Sequence, residues 1–259
     1  MGERALAVRH VLGRLVRRIG ADPPISSGYR VVEGRLPDNI RLGWRRPAIM
    51  ARQQRAFEPL LDRLRAGAPR QDFIALAEAV RAAGVADPRV IEVGCATGWN
   101  GEVLERLLDR PVRYVGIDYS STMVTAGARR YPRMRFAAGD AARLPVTDGA
   151  CDVVISGTVL MHVLDYASAI DECRRVTRRW AVFHSVPVLR CRHTTTLTKL
   201  AYGVGVVEVV FNEVELLEQF RASGFVVRQR FESVPYDLAP ILGEPTASRT
   251  FLCEKQESA

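Results

Sequence analysis

The chain has 259 residues, 47% of them hydrophobic, and a formal net charge of +8. This suits one α/β domain with appendages, and no apolar run is long enough to cross a bilayer. The arginines that carry the charge are scattered along the chain (Arg14, Arg17 and Arg18, then Arg45 and Arg46, then Arg174, Arg175, Arg178 and Arg179), which argues against a nucleic-acid groove and for a solvated surface.

From the N-terminus, residues 4–19 read as an amphipathic helix, with Val8, Leu12, Leu15 and Ile19 on one face and arginines around the rest. Three partners suit it: its own domain, a second copy of the chain in a homodimer, or a membrane surface. Residues 25–47 read as irregular and too apolar for a linker, hence a lid across a binding mouth, with Tyr29 and Trp44 as substrate contacts. Helices are expected at 48–65 and 71–83. Strands then alternate with helices: strands near 90–93, 112–117, 134–138, 151–156 and 180–186, and helices near 99–108, 120–130 and 167–176. That alternation predicts parallel strands with right-handed crossovers. Residues 187–212 are read as a cap insertion, with His193 and Tyr202 as substrate contacts. A helix at 213–223 and strands at 225–232 and 248–254 complete the chain. The domain reading is residues 1–70 for the N-terminal helices and lid, and 71–259 for the core with its cap.

The most informative stretch is Val90-Ile91-Glu92-Val93-Gly94-Cys95-Ala96-Thr97-Gly98, a buried strand turning on small residues into a helix. A second strand ends on Asp118, which is placed to hold ribose hydroxyls. A nicotinamide fingerprint would need glycines at Ala96 and Trp99, and a Walker loop would need a nearby lysine, so both are excluded. The spacing Glu92, Gly94, Ala96, Gly98 resembles the E-x-G-x-[GA]-x-G pattern of the class I S-adenosylmethionine-dependent methyltransferases, of the small-molecule type. Four further segments resemble that family's motifs in order: 114–120, Phe136–Pro145 with Gly139-Asp140-Ala141, 148–156 and 175–183.

The resemblance implies a Rossmann-like, doubly wound, seven-stranded sheet whose last strand runs antiparallel. It implies S-adenosylmethionine as cofactor, held by Glu92, Gly94, Ala96, Gly98, Trp99, Asp118, Tyr119, Met123, Asp140, Ala141 and Ser156. Alanine suits position 96 if its φ is negative. His162, after the fourth strand, is where small-molecule members often place a histidine facing the donor methyl; the alternative is a histidine that packs or caps the next helix. His184 is a second candidate base. Nothing like [ND]-P-P-[YF] follows the fourth strand, no cysteine nucleophile lies there, and no metal-ligand spacing occurs, so base-nitrogen, cytosine-C5 and metal-dependent chemistry are disfavoured. Five cysteines without C-x-x-C spacing and an N-terminus without a secretory leader point to the cytoplasm. The expected activity is methyl transfer to an oxygen or nitrogen of a small-molecule, glycan or lipid-linked acceptor. A cofactor-binding scaffold without turnover and an RNA methyltransferase are the rivals.

Overall fold

The structure, a computed structural model, describes residues 26–108, 110 and 112–256, so the expected helix over 4–19 lies outside them. In chain order come β1 (Ser26–Val31), two short helical turns (Asp38–Arg41 and Gly43–Arg45), α1 (Pro47–Arg65), α2 (Gln71–Ala82), β2 (Arg89–Val93), α3 (Trp99–Leu108), β3 (Arg113–Asp118), α4 (Ser121–Arg130), β4 (Arg135–Ala138), β5 (Cys151–Gly157), α5 (Tyr166–Val176), β6 (Thr177–Leu189), β7 (Thr195–Ala201), β8 (Val204–Asn212), α6 (Glu213–Ala222), β9 (Phe225–Glu232), a turn at Ala239–Leu242, and β10 (Ala247–Lys255).

Strands β2 to β6 pair in parallel in the order β4-β3-β2-β5-β6. They are near-continuous apolar runs because helices cover both faces. Ile91 and Val93 point into one cluster with Phe183, Phe220 and Phe251, whereas Val90 points into the other with Phe73, Leu76 and Leu104. β10 lies between β6 and β9 and runs antiparallel to both. These seven strands are the expected sheet, with its reversed last strand. Local signals set the helix starts: Pro47 opens α1, and Ser120, Asp165 and Asn212 cap α4, α5 and α6 through side-chain oxygens.

The described residues hold ten strands, not seven, and the three extra ones build the cap. In the segment 187–212, residues 187–189 still belong to β6, and 195–212 form a β7–β8 hairpin closed by Tyr202 and Gly203, both at positive φ (51° and 74°), as a tight two-residue turn requires. The segment 25–47, expected to be irregular, contributes β1, which pairs antiparallel with β7. β8 in turn pairs with the end of β6 at Val188–Phe211. The lid and the insertion therefore share one sheet, hydrogen-bonded to the core. Arg65 on α1 ties the other side, donating to Glu102 of α3 at 2.8 and 2.9 Å.

Candidate functional site

The carboxyl ends of β2, β3, β4 and β5 open into one cavity of about 790 Å³ that continues under the cap. At its floor, the loop after β2 is held by Asp118. One carboxylate oxygen accepts the Ala96 N–H at 2.9 Å and the other accepts the Ser120 N–H at 2.9 Å. Each oxygen has a further lone pair, and Asp118 lines the cavity. Burial raises the Asp118 pKa, and the two N–H donors act against that rise.

The loop conformation explains its small residues. Gly94 (φ 67°) and Gly98 (φ 82°) sit in the left-handed region, and a Cβ at either would collide with Val159 or Phe136. Ala96 also lies there, at φ 49°, contrary to the negative φ expected, so this loop carries backbone strain at the site. Thr158, just after β5, and Ser185, within β6, are strained in the same sense (φ 59° and 53°) and also line the cavity.

Gly94, Ala96, Trp99, Asp118, Tyr119, Met123, Asp140 and Ala141 all line this cavity. Arg45 of the N-terminal segment covers the Tyr119 ring at 4.9 Å. Trp99 opens α3 and stacks on Phe57 of α1, with centroids 4.1 Å apart. Glu92, Gly98 and Ser156 do not line the cavity. Glu92 is 1% exposed, accepts Asn100 Nδ2 at 2.6 Å and the Tyr114 hydroxyl, and fills the space that a Cβ at Gly157 would need. It braces the start of α3 through Asn100, and burial pushes its pKa up to about 7.

At the cap end stand Tyr29, Trp44, His162 and Tyr202. The β8 backbone fixes His162: its Nδ1 is 2.7 Å from the Val207 carbonyl, so Nδ1 carries the proton and Nε2 keeps its lone pair. Its ring lies 4.6 Å from Trp44. Burial, and next the charge of Lys199, push its pKa down to about 3, so the imidazole is neutral near pH 7. Asp165 caps α5 by accepting the Ser168 N–H, so it does not orient His162.

Two expected residues lie elsewhere. His184 is 2% exposed in the core, between Thr250 of β10 at 2.9 Å and Ser185 at 3.3 Å, so it faces no substrate. His193 is almost wholly exposed outside the cavity, paired with Glu215 at 2.5 Å. The structure adds residues not singled out in the sequence: Lys199 and Tyr236 at the cap end, and Gln53 of α1. Gln53 Oε1 and Trp44 Nε1 are buried with no hydrogen-bond partner, although both residues line the cavity. Among the described residues, no group of three or more His, Cys, Asp or Glu is arranged to hold a metal.

Residues 91–183 match the family model of a methyltransferase domain. A probable S-adenosylmethionine-dependent methyltransferase of Mycolicibacterium smegmatis is 36% identical over 94 residues, 36% of this chain and 35% of that one. A demethylmenaquinone methyltransferase of Beutenbergia cavernae is 39% identical over 90 residues, 35% of this chain and 36% of that one. The chain thus spans about a third of the length of the curated relatives it matches. Among solved structures, the 1,6-didemethyltoxoflavin-N1-methyltransferase of Burkholderia thailandensis, bound to 1,6-didemethyltoxoflavin and S-adenosylhomocysteine, superposes with a TM-score of 0.57 at 16% identity, over 88% of this chain and 95% of that one. The [4+2]-cyclase SpnF superposes with a TM-score of 0.54 at 18% identity, over 82% and 97%. At such identities these two likenesses are of fold alone. From the strand order, the loop after β2 and the family match, the domain over residues 91–183 belongs to the class I S-adenosylmethionine-dependent methyltransferases.

Proposed function

We propose that the protein methylates an oxygen or nitrogen of a small-molecule acceptor, using S-adenosylmethionine, in the cytoplasm. The observation that carries this reading is one continuous cavity with a nucleoside-type floor around Asp118 and an aromatic chamber under the cap. The residues fit the cofactor: Asp118 has free lone pairs for ribose hydroxyls, Asp140 and Ala141 border a slot beside Tyr119 and Met123, and the start of α3 offers N–H groups to a carboxylate. The orphaned Gln53 oxygen and Trp44 N–H supply one further acceptor and one further donor.

When bound, the cofactor supplies a methyl group on a sulfonium whose departure leaves a neutral thioether. The chain's contribution is to align and to exclude water, which supplies most of the acceleration such a reaction needs. Trp44, Tyr202 and the short helical turns close the chamber over His162. His162, with Nδ1–H committed to Val207, presents Nε2 to accept a hydrogen bond from the acceptor's O–H or N–H and so to orient it. Calorimetric titration with S-adenosylmethionine and with S-adenosylhomocysteine tests this reading. One site per chain is expected for both, and the absence of a site for either ligand refutes the reading.

A further inference from the structure

Lys199 is one of only two lysines in the chain, and it is buried. It projects from β7 on the same face as Leu197 and Ala201, diagonally across the hairpin from Glu208 of β8, whose exposure is 0%. The ammonium nitrogen meets one Glu208 oxygen, while the other accepts the Tyr236 hydroxyl. The Tyr29 ring covers Lys199 Nζ at 5.6 Å. Lys199, Tyr29, Tyr236 and His162 all line the cavity, so Lys199 stands in the wall of the acceptor chamber with Glu208 buried behind it.

A buried ion pair of this kind is no stability device, since apolar residues of similar volume often serve as well or better. Burial drives both partners toward their neutral forms, lowering the amine and raising the carboxyl. The pair thus holds one proton, on the amine or on the carboxyl, and it has room for a second. His162 is a poor alternative: its Nδ1–H is committed to Val207, and burial and the neighbouring Lys199 charge make its free nitrogen a weak base. Methylating a hydroxyl releases one proton per methyl group, and that proton needs a first destination.

We propose that the cap end of the cavity takes a planar acceptor bearing an acidic hydroxyl, a phenol or an enol, and that the Lys199–Glu208 pair receives the proton of that hydroxyl. The inference rests on the methyl-transfer reading for its purpose, but not for its test. The acceptor O–H bond breaks and its electron pair stays on oxygen. The proton joins the pair, which becomes an ammonium beside a neutral carboxyl and carries one net positive charge against the new oxyanion. His162, Tyr29, Tyr202 and Tyr236 are other titratable residues lining this end of the cavity. Aromatic side chains (Tyr29, Trp44 and Tyr236) give a planar ring its faces. Once the oxygen is methylated, the surplus proton returns to solvent and restores the one-proton pair.

The test uses 4-nitrophenol, whose anion is coloured, added to the full chain with and without S-adenosylhomocysteine, at a pH where the free compound is mostly protonated. The expected result is a stoichiometric bound-phenolate band in the wild type. That band should persist in Glu208→Gln, where Lys199 alone takes the proton, and vanish in the double variant Lys199→Met/Glu208→Gln, which leaves no buried charge unpaired. Thermal melts identify which variants are folded, with Lys199→Met alone as the substitute for the double variant. A wild type without bound phenolate, or a folded variant lacking Lys199 that keeps the band, overturns the proposal. Failure of S-adenosylhomocysteine to bind while the phenolate band persists would overturn the methyl-transfer reading and leave this inference standing.

Discussion

Asp118→Asn is the perturbation that most directly interrogates the floor of the site. The native carboxylate is 7% exposed and accepts one backbone N–H on each oxygen, from Ala96 and Ser120, both at 2.9 Å. An asparagine has the same shape but only one oxygen, so its amide N–H must face one of those two donors. One charge-assisted hydrogen bond is lost, worth about 1.5–3 kcal/mol, and the opposed donor stays buried without a partner. Relief of a buried charge offsets part of this, because burial already works against the ionised form. The net loss in folding stability should therefore be roughly 1–3 kcal/mol. If the amide turns toward the loop, Ala96 is released, and its N–H fixes the backbone that approaches the ligand. Affinity for S-adenosylhomocysteine should then fall by about tenfold for each 1.4 kcal/mol that the loop and the lost ribose acceptor contribute. Urea unfolding and calorimetric titration of the same preparations read the two effects separately. A variant with an unchanged urea midpoint and unchanged affinity would refute the claim that Asp118 both pins the loop and faces the ligand.

Other perturbations follow from strain and titration. Ala96→Gly should stabilise the fold by about 0–1 kcal/mol, because relief of an alanine held at φ 49° exceeds the entropy cost of a glycine; Ala96→Val should destabilise it strongly, both read as shifts in melting temperature. Glu92, with a pKa raised from 4.5 to about 7, holds a proton in the native state that the unfolded chain has already released. Its contribution to stability is therefore lost as pH rises through that window, by about 3 kcal/mol in full. In Glu92→Gln the amide can still accept from Asn100 and donate to the Tyr114 oxygen, so urea midpoints compared at about pH 5 and pH 8 should show this component of the decline removed.

The core was legible because buried parallel strands and amphipathic helices leave strong periodic traces. Every expected strand from 90 to 254 lies within three residues of an observed one, and the motif residues fall at the strand ends as a doubly wound sheet requires. The cap was not legible. β1 carries Gly28 at φ 67° and a register shift between Ser27 and Arg30, which breaks the alternation that marks a strand. β8 reads as a nearly unbroken valine run whose partner is a threonine-rich strand, and the Tyr202-Gly203 turn was the signal joining them. Polar residues were harder still, because sequence does not say which way a side chain faces. Glu92 turned inward to Asn100 and Tyr114, His184 turned into the core, and His193 turned to solvent. Lys199 carried a usable clue: a rare lysine in a strand facing another strand with one glutamate.

What separates the two halves of the site is also what separates transferable from particular chemistry. The family match covers residues 91–183, which supply the floor: the loop after β2, Asp118, Asp140 and the end of β5. The chamber above it is built by β1, the helical turns, α1 and the β7–β8 hairpin, all outside that match. His162 joins them, since it belongs by sequence to the matched domain, yet the cap carbonyl of Val207 sets its tautomer and aim. Only interactions that differ between acceptors can select among them, and much of the chamber wall comes from the cap, the rest from the segment after β5, from β6, from Arg70 and Asp72 at the start of α2 and from Ser248 of β10. On the methyl-transfer reading proposed above, exchanging this hairpin for another should change which acceptor is used while S-adenosylhomocysteine affinity is retained.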